Sequence, residues 1–453
     1  MSEKGISLSC PAIDVRPLEA YHMKTQKIPA AGGDFMRPMA PIKSIMYRSP
    51  DPKTVYTYSP GICALESGRL VGTLDVGGQG VEKHYQNTAY SKTEGYQFCG
   101  MVFISDDHGA TWRQTVQFPF CHARPFTAGK SLYVLGHAKD LRIIRSDDGG
   151  ETWTEAAELT SGEFWHQAPA NVCYAGENVY LVMERVPDGV TGWPVRALEP
   201  VLMRGNIHDD LTLPESWTFS DSMEFRQVMQ YENTDYFGIP FYPLDLEEGT
   251  RLSNGAYCAP LGWLETNVVH ISDENHIWYD PTGHTFHLFM RAHTGRTNYC
   301  CVMKVVEQSD GSMKMERVVA PSGKTLLYLP MPGGQMKFHI LYDAPSGLYW
   351  LLSSQSTDSM AKPETMSGKR FGLPDNERHR LQLHFSTNCV DWCFAGLVDM
   401  GKSPLESRHY ASMCISGENL YILSRSGDEE ACSAHNTDII TLHEIPNFRN
   451  LAY

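Results

Sequence analysis

SDDGGETW, at residues 146–153, decides how this sequence is interpreted, because almost the same octapeptide, SDDHGATW, occurs at 105–112. STNCVDW, at 386–392, looks like a degenerate third copy. Asp and Gly favour a tight turn, and the final Trp supplies a large apolar surface for packing. The recurrence therefore predicts a structural loop in a repetitive fold, with no chemistry of its own.

Short alternating or apolar runs, bounded by Gly, Asp, Asn and Pro, recur along the chain, whereas sustained helical periodicity is scarce. Pairs of such runs, joined by small polar turns, predict β-hairpins at 57–76, 122–137, 166–185, 267–293, 335–355 and 408–428. Several hairpins are followed by a third run, a polar loop and a fourth run. Four short strands per repeat predict an all-β fold, a single β-propeller of four-stranded blades.

The hairpins amount to six blades, and the long segments 1–50 and 186–264 leave room for a seventh. IKSIMYRS, at 42–49, is compatible with a strand that closes the ring. We therefore expect an N-terminal segment of residues 1–50, with such a closing strand, followed by a propeller domain of residues 51–453.

Composition and charge exclude several classes of function. The formal net charge of −15 argues against a nucleic-acid partner, which would require clustered Lys and Arg. No stretch approaches the roughly 18 apolar residues of a membrane span. The N-terminus lacks the pattern of a signal peptide, so a cytoplasmic location is expected, or a periplasmic or secreted one if a signal peptide has been removed. The twelve cysteines form no CxxC pair, which favours buried reduced thiols.

The repeated octapeptides resemble the Asp-box, SxDxGxTW, of the sialidase-type propellers. This resemblance implies a sialidase-like blade architecture, but Asp-boxes also occur in lyases, glycosidases and receptors without enzymatic activity. It further implies an Arg in a YRIP-like stretch of the first blade, one of three that bind the substrate carboxylate, and a Tyr and Glu nucleophile pair. The matching stretch is YSPGICAL at 58–65, where Ser59 replaces the Arg. No Tyr and Glu pair can be assigned from the sequence, and classical sialidase activity is not expected.

Propeller topology predicts where a site should lie. Loops between third and fourth strands lie on one face, whereas first strands begin and second strands end on the other. Polar and cationic residues recur at these starts and ends in successive blades, which packing alone does not explain. They include His122, Arg124, His166, Gln167, Arg408, His409 and Tyr410 at the starts, and Asp75, His137, Glu184, Arg185, Arg291, His293 and Arg425 at the ends. A shared cleft at the ring axis is therefore predicted.

Imidazole and guanidinium groups together suit an anionic sugar, since His exchanges protons near neutral pH and Arg holds a carboxylate. The arrangement is similar to that of the propeller lyases that act on ulvan and on rhamnosyl-glucuronate, whose sites pair two His with a Tyr and an Arg of the next blade. His122 and His137 match the paired histidines and Arg185 matches the Arg. His166 stands where the Tyr is expected.

The leading prediction is a lyase that cleaves a uronate-containing glycan by β-elimination, with an acidic oligosaccharide or polysaccharide as its partner. The assigned catalytic residues are His122, His137, His166 and Arg185. The assigned substrate-binding residues are Arg124, Gln167, Arg291, His293, Arg408, His409 and Tyr410.

Two alternatives stay open. One is a glycoside hydrolase of rhamnosidase or sialidase type acting on an acidic glycan, with Asp75 and Glu184 as acid and base. The other is a glycan-binding propeller without catalysis.

No cofactor is expected to be required. A metal ion among the strand-end histidines stays open, although no HExxH or CxxC spacing supports it. The sequence does not indicate an oligomeric state.

Overall fold

The computed structural model describes residues 36–91, 95–190, 197–230, 232–235, 262–292, 297–357, 377–403 and 406–453. The chain divides into two units, Met1–Arg37 and Pro38–Tyr453, and all the elements below belong to the second. The helices in these ranges include α1 (Val81–His84), α2 (Phe225–Val228) and two short 3-10 helices. Each helix in the ranges is too short or too polar to span a bilayer.

Six antiparallel sheets form the blades of a propeller. The first strand, β1 (Ser44–Arg48), belongs to the last blade. Blade 1 contains β2 (Tyr56–Thr57), β3 (Gly61–Ala64), β4 (Leu70–Gly78), β5 (Ala89–Ser91), β6 (Tyr96–Ser105) and β7 (Arg113–Phe118). Blade 2 contains β8 (Cys121–Ala128), β9 (Ser131–Ala138), β10 (Asp140–Ser146) and β11 (Ala157–Glu158). Blade 3 contains β12 (Trp165–His166), β13 (Cys173–Ala175), β14 (Asn178–Arg185), β15 (Glu199–Asn206) and β16 (Trp217–Phe219).

The second half of the chain repeats this pattern. A short parallel pair is formed by β17 (Thr234–Asp235) and β22 (Thr325–Leu326). Blade 4 contains β18 (Trp263–His270), β19 (Thr285–Ala292), β20 (Tyr299–Glu307), β21 (Met313–Glu316) and β23 (Tyr328–Pro330). Blade 5 contains β24 (His339–Asp343), β25 (Leu348–Ser353), β26 (Arg380–Ser386) and β27 (Cys393–Met400). Blade 6 contains β28 (Arg408–Ser416), β29 (Asn419–Ser426), β30 (Ile439–Ile445) and β1.

These sheets confirm the predicted all-β propeller and its count of six blades. All six predicted hairpins form, and the described residues contain no seventh blade. The β1 strand pairs antiparallel with β30, so the ring closes between the two ends of the chain. The cysteines in the described part of the chain are free thiols.

The repeated octapeptides connect third strands to fourth strands, as predicted. Asp148 accepts hydrogen bonds from the Thr152 amide (2.9 Å), the Thr152 hydroxyl (2.6 Å) and the Ser146 hydroxyl (2.8 Å). These bonds, above all the one from the Thr152 hydroxyl, lower the pKa of Asp148 to about 2. The same three bonds surround Asp107 in blade 1. Gly150 is left-handed (φ 93°), a conformation that favours glycine at this turn.

The hydrophobic core lies between successive blades. Leu135 of blade 2 and Leu181 of blade 3 share one buried cluster. Tyr180 of blade 3 stacks on Phe286 of blade 4, with ring centroids 4.1 Å apart. Each blade therefore depends on its neighbours to cover its faces.

Polar side chains connect the first strands around the axis. The Asn171 side chain donates to the Val268 carbonyl (2.7 Å) and accepts from the Val268 amide (2.8 Å), which links blade 3 to blade 4. Asn267 makes the equivalent pair of bonds to the Phe338 carbonyl and the Ile340 amide of blade 5. Because these groups are buried, the bonds fix how far each first strand is shifted along the axis relative to the next.

We predict that Asn171→Ala lowers the free energy of unfolding by about 2–4 kcal/mol, since two buried backbone groups of Val268 lose their partners. Urea denaturation measures the change. Asn450→Ala, at an exposed position, is the control and should stay within about 0.5 kcal/mol of the unsubstituted protein. Equal effects of the two substitutions would show that the inter-blade bonds contribute little to stability.

Candidate functional site

Three first strands share an irregularity near their start, on the face opposite the repeated loops. The register breaks lie between Cys121 and Arg124 in β8, Leu264 and Asn267 in β18, and His409 and Ser412 in β28. Across each break the chain advances by three residues on the first strand but by two on the second strand paired with it. The first strand therefore contains one extra residue, which is a β-bulge. The bulges occur in every second blade, at equivalent positions.

Each bulge holds a left-handed residue other than glycine. These residues are His122 (φ 53°), Glu265 (φ 58°) and Tyr410 (φ 49°). A side chain in this region costs about 1–2 kcal/mol of backbone strain, and such strain is concentrated at functional sites. The three bulges therefore mark a candidate site at the start of the first strands.

Three histidines of blades 2 and 3 form one cluster. The ring centroid of His122 lies 5.2 Å from that of His137 and 5.1 Å from that of His166, and the last two are 5.5 Å apart. His122 Nδ1 and His137 Nε2 are 3.2 Å apart. The backbone amide of His122 donates to Asp75 Oδ1 (3.0 Å), which holds the bulge against blade 1.

Burial keeps these imidazoles neutral. It lowers the pKa of His122 to about 4 and that of His166 to about 3, and it holds the pKa of His137 well below 6.5. The backbone N–H of Gln167 donates to His137 Nε2 at 3.4 Å, so the His137 Nε2 atom is unprotonated and acts as the acceptor. The cluster therefore offers unprotonated nitrogens at neutral pH.

Tyr410 of blade 6 contacts a carboxylate and a guanidinium group from blade 4. Arg291 Nη1 donates to the Tyr410 hydroxyl (2.8 Å), and the hydroxyl also hydrogen bonds to Glu265. Arg291 Nη1 lies 3.2 Å from Glu265 Oε2. Burial, then the charge of Glu265, raises the pKa of Tyr410 above its usual value. The hydroxyl thus stays protonated, with a carboxylate beside it to receive its proton.

Two further guanidinium groups lie near the Tyr410 ring. Those of Arg378 and Arg425 are 5.4 and 5.3 Å from its centroid, and Arg425 also lies 4.5 Å from the Tyr58 centroid. Arg378 Nη1 is 2.9 Å from His409 Nδ1. Burial lowers the pKa of Arg378 to about 10, and while Tyr410 acts against this shift, the charges of Arg425 and Arg291 add to it. Three guanidinium groups thus lie around Tyr410, and guanidinium groups bind oxyanions through charge-assisted hydrogen bonds.

The histidine cluster and the tyrosine group face the same mouth of the ring. His122 interacts electrostatically with Arg425 and Glu265, and His166 also interacts with Glu265. Burial raises the pKa of Asp75 to about 7, while the charge of Arg425 acts against this shift. Acid, base and cationic groups from all six blades therefore lie at this mouth, and the bulges supply one such group in each of blades 2, 4 and 6.

A separate cavity of about 480 Å³ lies further along the axis. Its wall is formed by the later residues of the first strands, including Cys63, Tyr174, Ile340 and Met413. None of the bulge residues lines it.

Two arginines that the sequence assigned to the site have structural partners. Arg185 forms an ion pair with Glu199 (2.9 Å) and donates to Ser222. Arg408 is buried against Asp399 (2.6 Å). The structure does not bring either guanidinium to the Tyr410 group.

Other expected site residues lie at or below the mouth. Arg124 is buried and donates to the carbonyls of Asn171 and Val182, so it connects blades 2 and 3. Gln167 is also buried, and its side-chain nitrogen donates to the Val182 carbonyl. His409 is buried, and its Nδ1 contacts Arg378 Nη1. His293 lies outside the described residues.

Glu184, the base considered for hydrolysis, is completely buried. Its Oε1 accepts from the amide (2.9 Å) and hydroxyl (2.8 Å) of Thr266, and burial raises its pKa to about 8. The carboxyl thus links blades 3 and 4 and is enclosed by them.

Glu265 and Arg378 were not predicted from the sequence, and Arg425 was predicted at a strand end but not as a site residue. For Glu265 a usable signal existed, because it stands one residue before the polar pair Thr266 and Asn267 at the start of a first strand. Its position matches those of His122 and Tyr410 when the hairpins are aligned. Arg378 lies just before a third strand and has no such signal.

Comparison with known proteins gives likeness in fold only. No family model and no curated protein matches the sequence. Hadza microbial sialidase Hz136 is 15% identical (TM-score 0.48), and the alignment covers 85% of this chain but 65% of that one. Penicillium chrysogenum α-L-arabinanase is 11% identical (TM-score 0.47), with 90% and 99% covered. Trypanosoma rangeli sialidase is 13% identical (TM-score 0.45), with 91% and 59% covered. The chain therefore spans less than two thirds of either sialidase.

The left-handed bulge in blade 2 gives a stability prediction. His122→Val should be less stable than His122→Asn by about 1–2 kcal/mol, because Asn tolerates φ near 53° and a β-branched residue does not. Chemical denaturation of both variants measures the difference. Thr127, further along β8 and not left-handed, is the control, where Val should be at least as stable as Asn. The same order at both positions would contradict a strained bulge.

The buried histidines give a pH prediction. Histidine in the unfolded chain has a pKa near 6.5, above the values in the folded cluster, so the unfolded chain takes up protons first as pH falls. From pH 7 to pH 5 each cluster histidine should lower the free energy of unfolding by about 1–2 kcal/mol. His166→Gln should reduce this slope. NMR titration of the folded imidazoles checks the cause, and midpoints near 6.5 for all three would contradict it.

Proposed function

We propose that this protein is a glycoside hydrolase that acts on a glycan bearing a carboxylate on the sugar it cleaves. One observation carries the proposal: the Tyr410 hydroxyl is held between Arg291 and Glu265, with two more guanidinium groups near its ring. This arrangement combines a nucleophile, a base and an anion-binding group in one place.

Tyr410 is the proposed nucleophile. Glu265 takes the phenol proton as the oxygen bonds to the anomeric carbon, and the bond from that carbon to the leaving oxygen breaks. A phenol suits a carboxylated sugar, because a carboxylate nucleophile would be repelled by the substrate's own charge. Water then attacks the anomeric carbon, the glycosyl-tyrosine bond breaks as Glu265 returns its proton to the phenol oxygen, and the anomeric configuration is retained.

The arginines bind the carboxylate of the sugar. Arg291, Arg378 and Arg425 are buried, and a buried guanidinium gains most from a charge-assisted bond to an oxyanion. Ser59 stands at the position where the resemblance implies an Arg, but Arg425 extends from blade 6 over the neighbouring Tyr58 ring. The anion-binding group is therefore supplied by blades 4, 5 and 6.

Asp75 is the proposed acid. A carboxyl whose pKa is about 7 is partly protonated at neutral pH. Its Oδ1 accepts the His122 amide, so the proton is carried by Oδ2. Asp75 would protonate the departing oxygen and then, as a carboxylate, take a proton from the attacking water.

β-Elimination on a uronate is a second candidate, favoured by the neutral histidine cluster. His122 or His166 would remove the C5 proton, and the arginines would hold the carboxylate as charge develops on it. This reaction leaves an unsaturated sugar that absorbs in the ultraviolet, whereas hydrolysis leaves a new reducing end and no chromophore.

We predict that Tyr410→Phe and Glu265→Gln each lower kcat on chromogenic uronate or sialic-type glycosides by about a hundredfold or more, with smaller changes in KM. Tyr342→Phe, on an exposed tyrosine of blade 5, is the matched control and should leave kcat unchanged. Full activity in Tyr410→Phe, or an ultraviolet-absorbing product whose formation needs His122, would overturn hydrolysis by the tyrosine.

A further inference from the structure

Three potential metal ligands meet at the bulge of blade 2. The Sγ of Cys121 and one ring nitrogen each of His122 and His137 lie within 4.8 Å of one another. Cys121 on β8 is directly paired with His137 on β9. His122, the left-handed residue of the bulge, follows Cys121 in β8. In a regular strand the His122 side chain would point to the face opposite Cys121 and His137. The bulge turns it toward these two residues.

The spacing agrees with a tetrahedral ion. With metal–nitrogen bonds of about 2.0–2.1 Å, two ligand nitrogens lie about 3.3 Å apart and their ring centroids about 5.2 Å apart. His122 Nδ1 and His137 Nε2 are 3.2 Å apart, and their centroids are 5.2 Å apart. His166 lies at similar centroid distances, 5.1 and 5.5 Å, beside the fourth position.

The donor set indicates which ions would bind. Imidazole nitrogens and a thiolate suit Zn²⁺ and its neighbours, whereas Ca²⁺ and Mg²⁺ require oxygen ligands. His137 Nε2 has a single lone pair, which now accepts the backbone N–H of Gln167 at 3.4 Å, longer than an ordinary hydrogen bond, and a bound ion would displace this weak contact. The Cys121 thiol, which now donates to the His137 carbonyl (3.4 Å), would lose its proton on binding.

We propose that Cys121, His122 and His137 bind a divalent transition-metal ion, Zn²⁺ foremost, at the mouth of the propeller. The fourth position lies beside His166 and takes that imidazole or an oxygen ligand from solvent. This site does not rest on the proposed hydrolysis, whose tyrosine, glutamate and arginines belong to other blades. It does compete with elimination, because a bound ion would occupy lone pairs of His122 and His137.

The absorption spectrum of bound Co²⁺ shows the geometry of the site and whether a thiolate is one of the ligands. The full-length protein is stripped with a chelator and titrated with CoCl₂, then with ZnCl₂ by calorimetry. The expected result is one ion per chain, tetrahedral visible bands and a near-ultraviolet charge-transfer band from a thiolate ligand. Cys121→Ala should abolish the charge-transfer band, and His137→Gln should weaken Zn²⁺ binding by more than the 10- to 100-fold typical of lost outer-shell contacts.

The control variants distinguish the removal of a metal ligand from unfolding of the protein. His122→Asn keeps a residue that tolerates the left-handed bulge, and circular dichroism verifies its fold. Cys432→Ala removes an exposed thiol far along the sequence and should leave binding unchanged. The proposal is overturned if no cobalt binds at 100-fold excess, or if a thiolate band persists in Cys121→Ala. Hydrolysis that survives loss of the metal would leave the proposed function intact.

Discussion

The hydrogen bonds between neighbouring first strands are the constraint on which the rest of the structure depends. Asn171 and Asn267 each use both ends of an amide to hold the backbone of the next blade. Hydrophobic contact between blades is not directional and would permit small slips along the axis. The paired bonds do not permit them. Together with the bond from Arg124 to the Asn171 carbonyl and the bond from the Met413 amide to His339, they hold the first strands of blades 2 to 6 at a common level around the mouth.

Because these strands start at a common level, the bulges place their side chains at the same height around the mouth. A regular strand alternates its side chains between the two faces of a blade, and a bulge breaks the alternation for one residue. His122, Glu265 and Tyr410 occupy this residue in blades 2, 4 and 6, opposite His137, Arg291 and Arg425 on the second strands. The strain of three left-handed side chains is a few kcal/mol, and cross-blade packing and hydrogen bonding offset it.

The mouth is chemically divided. On the side of blades 2 and 3 burial keeps the imidazoles neutral, whereas on the side of blades 4, 5 and 6 three guanidiniums surround one tyrosine. Asp75 lies between the two, bonded to the His122 amide and facing the charge of Arg425. A neutral side with lone pairs beside a cationic side can hold different parts of one polar ligand.

The sequence by itself determined the all-β class, the six hairpins, the repeated loops and the face on which His122, His137, His166, Arg291 and Tyr410 would lie. These follow from local alternation, turn residues and strand polarity, which neighbouring residues encode. Only the tertiary structure decided that Glu265 and Arg378 join Tyr410, and that Arg185 and Arg408 pair with Glu199 and Asp399. Those partners come from separate strands or blades, and a one-residue bulge changes where a side chain points, so their distances exist only once the ring has closed.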